Sequence, residues 1–128
     1  EADRMYGRVT FSSAYEGPPG CVHGGYVAAA FDEVLGSTQS LAGRPGMTAN
    51  LSVDYRSPTP LHTELRFESW VTDVSGRKTF THGTLHAGDR LCAEADGLFV
   101  AIPFDRVAEL HRQRDAAFGP DPEPPGEG

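Results

Sequence analysis

Two apolar rhythms divide this chain, and the change from one to the other falls near residue 45. From Gly24 to Leu41 apolar residues return at helical spacing. At about 100° per residue, Val27, Phe31, Val34 and Leu35 share one stripe, widened by Ala28 and Ala30. Asp32 falls at the edge of that stripe, where half-burial beside the core is expected, and Glu33 on the solvent side. The spacing predicts a helix from Gly24 to Leu41 that ends near Ala42 and Gly43. Gly43 is its C-cap and Pro45 blocks continuation. Gly36 weakens it by about 1 kcal/mol relative to alanine, which points to close packing there.

From Met47 onward the period is two. Met47–Ser57 reads as a strand with Leu51, Val53 and Tyr55 on one face, closed by Pro58 and Pro60. Leu61–Val74 reads as a second strand, with Leu65, Phe67, Ser69 and Val71 on one face and Trp70 on the other. Ser75-Gly76-Arg77 is a tight turn. Lys78–His86 and Arg90–Ile102 follow, joined by Ala87-Gly88-Asp89, a hairpin signal. Ahead of the helix, Tyr6–Ala14 predicts a strand and Glu16–Gly20 a loop stiffened by Pro18 and Pro19. Val107–Arg114 predicts a short helix. Residues 1–114 make one domain, and the Pro/Gly/acidic residues 115–128 read as a disordered tail. With one long helix to cover the sheet, the consistent α+β architecture is a five-stranded antiparallel sheet wrapped round a central helix. Its open edges predict edge-to-edge homo-oligomerisation.

Charge narrows the partners. The 128 residues carry a net charge of -7, which argues against nucleic acid as the main partner but allows a local basic spot for a phosphorylated ligand. No apolar run reaches the roughly 20 residues of a membrane span, and no secretory signal is visible. Two cysteines, Cys21 and Cys92, suit a reducing compartment, so a cytoplasmic location is expected. His62, His82, His86 and His111 do not form a metal-ligand spacing, and no metal is expected. Cys21 reads as a packing residue.

Candidate chemistry gathers at Gly17-Pro18-Pro19-Gly20-Cys21-Val22-His23-Gly24-Gly25, immediately before the helix. The first N–H groups of a helix lack internal partners and favour a developing oxyanion. Gly24 is placed for that role, although Gly24 and Gly25 equally suit a tight turn. Asp32 fits a nucleophile or general base, and equally a surface ion pair. His23 suits orientation of the turn better than acid–base work. Arg56, Arg77 and Lys78 fit phosphate contacts, or solvated turn charges.

With the acid nine residues after His23, with Met47-Thr48-Ala49-Asn50-Leu51, with Tyr55-Arg56-x-Pro-x-Pro and with Gly76-Arg77-Lys78, the segment resembles the hotdog-fold acyl-CoA thioesterases. The resemblance is nearest the PaaI-like branch, among thioesterase superfamily members four and five, and covers about Phe11 to Ile102. It implies hydrolysis of an acyl-CoA thioester to free acid and coenzyme A, with no cofactor, since coenzyme A is part of the substrate. It implies a homodimer or a dimer of dimers. It assigns Gly24 to carbonyl polarisation, with Gly25 beside it among the catalytic residues, Asp32 to attack or water activation, and His23 to orientation. Thr48 it assigns as a hydroxyl supplied by the neighbouring subunit, and Arg56, Arg77 and Lys78 as coenzyme A contacts. Many relatives carry Asn or Gln where this chain has Gly17. Two other readings stand beside it: a non-catalytic acyl-CoA-binding or assembly module of the same fold, and an enoyl-CoA hydratase, whose Asp/His segment is not found. Tyr26, Ala29 and Phe31 are candidates to shape the acyl pocket.

Overall fold

The computed structural model describes residues 4–41 and 46–119. Strand β1 (Arg4–Val9) leads through a 3₁₀ turn at Ser13–Tyr15 to helix α1 (Gly24–Leu41). Four strands follow, β2 (Gly46–Tyr55), β3 (Leu65–Ser75), β4 (Lys78–Ala87) and β5 (Arg90–Ala101), and then helix α2 (Phe104–Phe118). All five strands pair antiparallel in the order β1-β3-β4-β5-β2. One face of the sheet wraps α1, the hotdog arrangement expected from the pattern.

The stripe of α1 lies where helical spacing puts it. Val27, Phe31 and Leu35 are fully buried against Leu65, Phe67, Leu85, Ala93, Ala95 and Phe99, with Ala30 and Val34 packed at the margin. Phe31 meets Phe67 edge to face at 5.2 Å. The closest approach of helix to sheet is at Leu35. A Cβ on Gly83 would lie 2.9 Å from Leu35 Cδ2, and one on Gly97 3.1 Å from Leu35 Cδ1. These two glycines, on neighbouring strands, make the floor on which the helix sits. The close packing expected at Gly36 is not there: a Cβ at that position would meet Phe99 at an ordinary 3.7 Å. The small residues that matter are in the sheet, opposite Leu35.

Boundaries differ where local chemistry overrides the pattern. The first strand stops at Val9, the last residue in register with β3, and not at Ala14. Beyond it Ser12 accepts from the Ala14 N–H and caps the 3₁₀ turn. The strand expected from Leu61 starts at Leu65. His62 has φ of 54°, and Leu61 N–H bonds Gly20 C=O, so this segment serves the glycine-proline loop. The short helix expected at 107–114 is α2, and it takes in residues 115–118 that composition assigned to the tail. Ala116 and Ala117 are strong helix formers, pairs such as Gln113–Glu109 at i,i+4 support it, and Gly119 at φ 79° ends it. The rest of the expected tail, 120–128, lies outside the described residues, as do Gly43 and Pro45.

Filling the glycine floor should be costly. Gly83→Val or Gly97→Val is expected to destabilise the fold by about 1–3 kcal/mol through overpacking against Leu35, read as a lower denaturation midpoint with an unchanged m-value. Gly36→Ala should leave the midpoint the same or raise it.

Candidate active site

The start of α1 is held from both sides. The glycine-proline loop is stitched to the segment after β2: Val22 N–H bonds Thr59 C=O at 2.8 Å, and Leu61 N–H bonds Gly20 C=O at 3.1 Å. Gly17 presses on the motif histidine, since a Cβ there would come within 2.8 Å of His23 Cα. In this loop conformation no side chain fits at 17, which accounts for the departure from Asn or Gln. His23 caps the helix. Its Nδ1 accepts from Gly25 N–H at 2.9 Å and its carbonyl from Tyr26 and Val27, while its own N–H goes to Tyr15 C=O. Among the described residues this leaves Gly24 N–H as the one donor of the first turn without a protein partner. The amide of Gly25, also a candidate catalytic residue, is occupied by His23.

Gly24 borders an open, mostly apolar cleft of about 420 Å³ walled by Pro18, Cys21, Val22, Val27, Tyr55 and Arg56, with Ser57, Pro58 and Thr59 beyond. Cys21, expected only to pack, is half-buried on this wall. The Tyr55 hydroxyl donates to Gly24 C=O at 2.6 Å. A Cβ on Gly24 would touch the Tyr55 ring at 3.4 Å, a contact and not a clash, and the residue has no positive φ. The protein's own packing therefore does not demand glycine here. Of the three expected pocket residues, Phe31 lies in the core, and Tyr26 and Ala29 are exposed outside the cleft wall. Tyr26 stacks edge-on with Tyr15 at 4.9 Å. The wall residue that received no site role from the sequence is Tyr55, which alternation placed on a strand face with Leu51 and Val53.

Asp32 occupies a different cleft, of about 490 Å³, together with Glu33, Ser37, Gly46, Thr48 and Phe99. It is exposed and not half-buried, because it flanks the open β2 edge. Thr48 Oγ1 donates to Asp32 Oδ1 at 2.8 Å within the same chain. This corrects the expectation that Asp32 is met by the Thr48 hydroxyl of a neighbouring subunit. Strict alternation counted back from Leu51 turns Thr48 away from the helix. A bulge between Thr48 and Asn50 reverses that phase, so that Thr48 pairs with buried Phe99 and faces α1.

The three basic candidates do not form one cluster. Arg56 is level with Cys92, whose carbonyl accepts the amides of Arg56 and Ser57. Lys78 is level with Val100, eight residues along β5, or roughly 26 Å at strand rise. Arg77 stands beside Lys78, at the turn. Arg56 is already engaged, with Nε donating to Glu94 at 3.0 Å and Asp54 at 3.7 Å from its Nη2. On the outward face His82 lies between Asp96, 2.8 Å from Nδ1, and Glu94, 3.4 Å from Nε2. Among the described residues no three His, Cys, Asp or Glu side chains are arranged to hold a metal ion, and no helix is long and apolar enough to cross a membrane.

Known proteins are similar to this chain in sequence and fold. The family model described as thioesterase superfamily matches residues 19–94. Acyl-coenzyme A thioesterase THEM4 of Xenopus laevis is 39% identical over 89 residues, 68% of this chain and 40% of that protein. Acyl-coenzyme A thioesterase THEM5 of Homo sapiens is 27% identical over 95 residues, 73% of this chain and 38% of that protein. A crystal structure of a thioesterase superfamily protein superposes with a TM-score of 0.74 at 42% identity, over 77% of this chain and 49% of that one. The chain thus spans about two fifths of the length of these curated relatives. With the fold, the His-Gly-Gly helix start and a family match over more than half its length, the chain belongs to the thioesterase superfamily.

Proposed function

We propose that this chain is an acyl-CoA thioesterase, hydrolysing an acyl-CoA thioester to free acid and coenzyme A. The observation that carries the reading is the unpartnered Gly24 N–H at the mouth of an apolar cleft. A thioester carbonyl oxygen seated there meets a helix N-terminus aimed at the charge that develops during attack. Glycine is otherwise a poor choice for the first turn, and a missing Cβ lets the carbonyl approach. The similarity to proteins named acyl-coenzyme A thioesterase supports the same substrate class.

One chain does not bring the parts together. Gly24 and Asp32 are eight residues apart on one helix, about 12 Å along the axis. A carbonyl held at hydrogen-bond distance from an amide and at attack distance from a carboxylate spans only about 6–7 Å. The two groups also open onto separate clefts. A second copy resolves this. Strand β2 is an edge, and two-fold antiparallel pairing of β2 with its counterpart sets the Tyr55 end of one copy against the Gly46–Thr48 end of the other. Each site then takes Gly24, held by His23, from one chain and the Asp32–Thr48 pair from the second. Arg77 and Lys78 arrive on the Asp32 side, next to Arg56 of the first chain, to meet the phosphates of coenzyme A. Thr48 occupies Asp32 Oδ1, so Oδ2 is the atom that attacks the carbonyl carbon or takes a proton from water. In the first route thiolate leaves and water cleaves the anhydride. In the second, hydroxide adds, the tetrahedral intermediate expels thiolate, and the thiolate takes up the proton. No metal takes part in either route. The minimal assembly is a dimer, and a dimer of dimers is compatible with it. The loop and helix motif favours the PaaI-like branch, the two free cysteines favour the cytoplasm, and residues 1–114 act as one domain.

Thiol release from a panel of aliphatic and aromatic acyl-CoAs tests the assignment. Asp32→Asn is expected to lower kcat by about 10²-fold or more, and equal rates for the two proteins would remove Asp32 from the mechanism. Acyl-CoA that raises the melting temperature without any thiol release would mark a binding module instead.

Gly24→Ala should fold at least as stably as the parent and lose about 10²-fold in kcat. Mixing and reassembling Gly24→Ala with Asp32→Asn is the stricter measurement. Random pairing puts one intact site in half of the dimers, so activity should recover to about a quarter of the parent's. No recovery would mean that both groups act from a single chain.

A further inference from the structure

We infer that Tyr55 is a positioning residue for the Gly24 amide. This rests on the thioesterase reading above and goes beyond it, because it gives a role to a residue that the motif only brackets. Gly24 and Gly25 open α1 in succession, and two glycines give the first turn more backbone freedom than any other pair. A donor that must meet a developing charge needs its direction set in advance. Gly24 C=O and Gly25 N–H are the two ends of one peptide unit, and His23 holds its N–H end. That restraint is local, within the turn itself. Tyr55 holds the C=O end of the same unit from a different element, and the Gly24 N–H, in the preceding unit, is hinged to it at the Gly24 Cα. Its hydroxyl crosses from the end of β2 to Gly24 C=O at 2.6 Å, the short end of the O–H···O range. Among the described residues it is the one side-chain hydrogen bond between the first turn of α1 and the sheet. A carbonyl accepts two hydrogen bonds, so this one adds to the helical bond from four residues on.

The side chain is well placed to act in this way and poorly placed to act as a core residue. Tyr55 is 54% exposed, and the open cleft it lines gives water access to the hydroxyl. A hydrogen bond at such a site contributes little to global stability, since water replaces it when it is lost. Its backbone is fixed: Tyr55 pairs with Ala93, and the next two amides bond Cys92 C=O. Its ring covers the point from which a Cβ on Gly24 would project. Fixed backbone, short bond and glycine neighbour together make the hydroxyl a stop that holds the Gly24–Gly25 peptide and so limits the turning of the Gly24 N–H about the glycine Cα.

Tyr55→Phe keeps the ring and removes the bond. Measured on the panel substrate with the highest rate, kcat is expected to fall by about tenfold, the scale of one hydrogen bond. KM should stay within about twofold and the melting temperature nearly unchanged. In the Gly24→Ala background, where the amide is already blocked, Tyr55→Phe should lower the residual rate by less than about twofold. Wild-type kcat in Tyr55→Phe overturns the inference, and so does a change confined to KM or a full multiplicative loss in the Gly24→Ala background. If the parent protein releases no thiol from any panel member, it is the thioesterase reading that falls. The positioning role is then decided by the Gly24 amide in solution NMR. A displaced Gly24 resonance in Tyr55→Phe supports it, and an unmoved one overturns it.

Discussion

The fit of Leu35 onto Gly83 and Gly97 is the contact on which the other placements depend. It sets how deeply α1 sinks into the sheet and where along its length it is anchored. Phe31 and Val27, one and two turns toward the N-terminus, then fall against the same buried surface, and Gly24 is carried to the rim where β2 ends. Asp32, a quarter-turn round from Phe31, comes out beside the β2 edge at the height of Thr48. A helix riding higher on a sheet without glycines would break the Asp32–Thr48 bond and the Tyr55–Gly24 bond together. Structural and candidate functional contacts therefore share one helix position.

Much of this was legible because it depends on short-range periodicity. The helix occupies Gly24–Leu41 as its spacing requires, and the strand faces follow alternation wherever the ladder is regular. What was not legible needs long-range information. The face of Thr48 turns on one extra residue in β2, which no alternation rule reveals. The separation of Arg56 from Lys78 follows from strand order and register, and those are settled by pairing partners far apart in sequence. The exposure of Asp32 reflects the open β2 edge beside it and not the phase of the helix. Gly17 is the reverse case: its meaning lay in a clash with His23 backbone that only the folded loop displays.

The outward face of the sheet has a different character from the helix face. Arg4 lies over the Trp70 ring at 4.2 Å, Trp70 leans on His82, and His82 sits between Asp96 and Glu94, which in turn holds Arg56. This row crosses the sheet from β1 to the end of β2, so the guanidinium beside the Gly24 cleft is held by residues on the opposite face. Each contact is at least partly solvated and individually weak, but the chain of contacts limits the directions in which Arg56 can swing.

The cap on α1 also restricts what His23 can offer. Because Nδ1 accepts the Gly25 N–H, the neutral ring carries its proton on Nε2. Whatever meets the free side of this imidazole meets a hydrogen-bond donor. A histidine in that state can steady a carbonyl or a thiolate, but it has no lone pair left with which to activate water. In the proposed mechanism that task falls to Asp32.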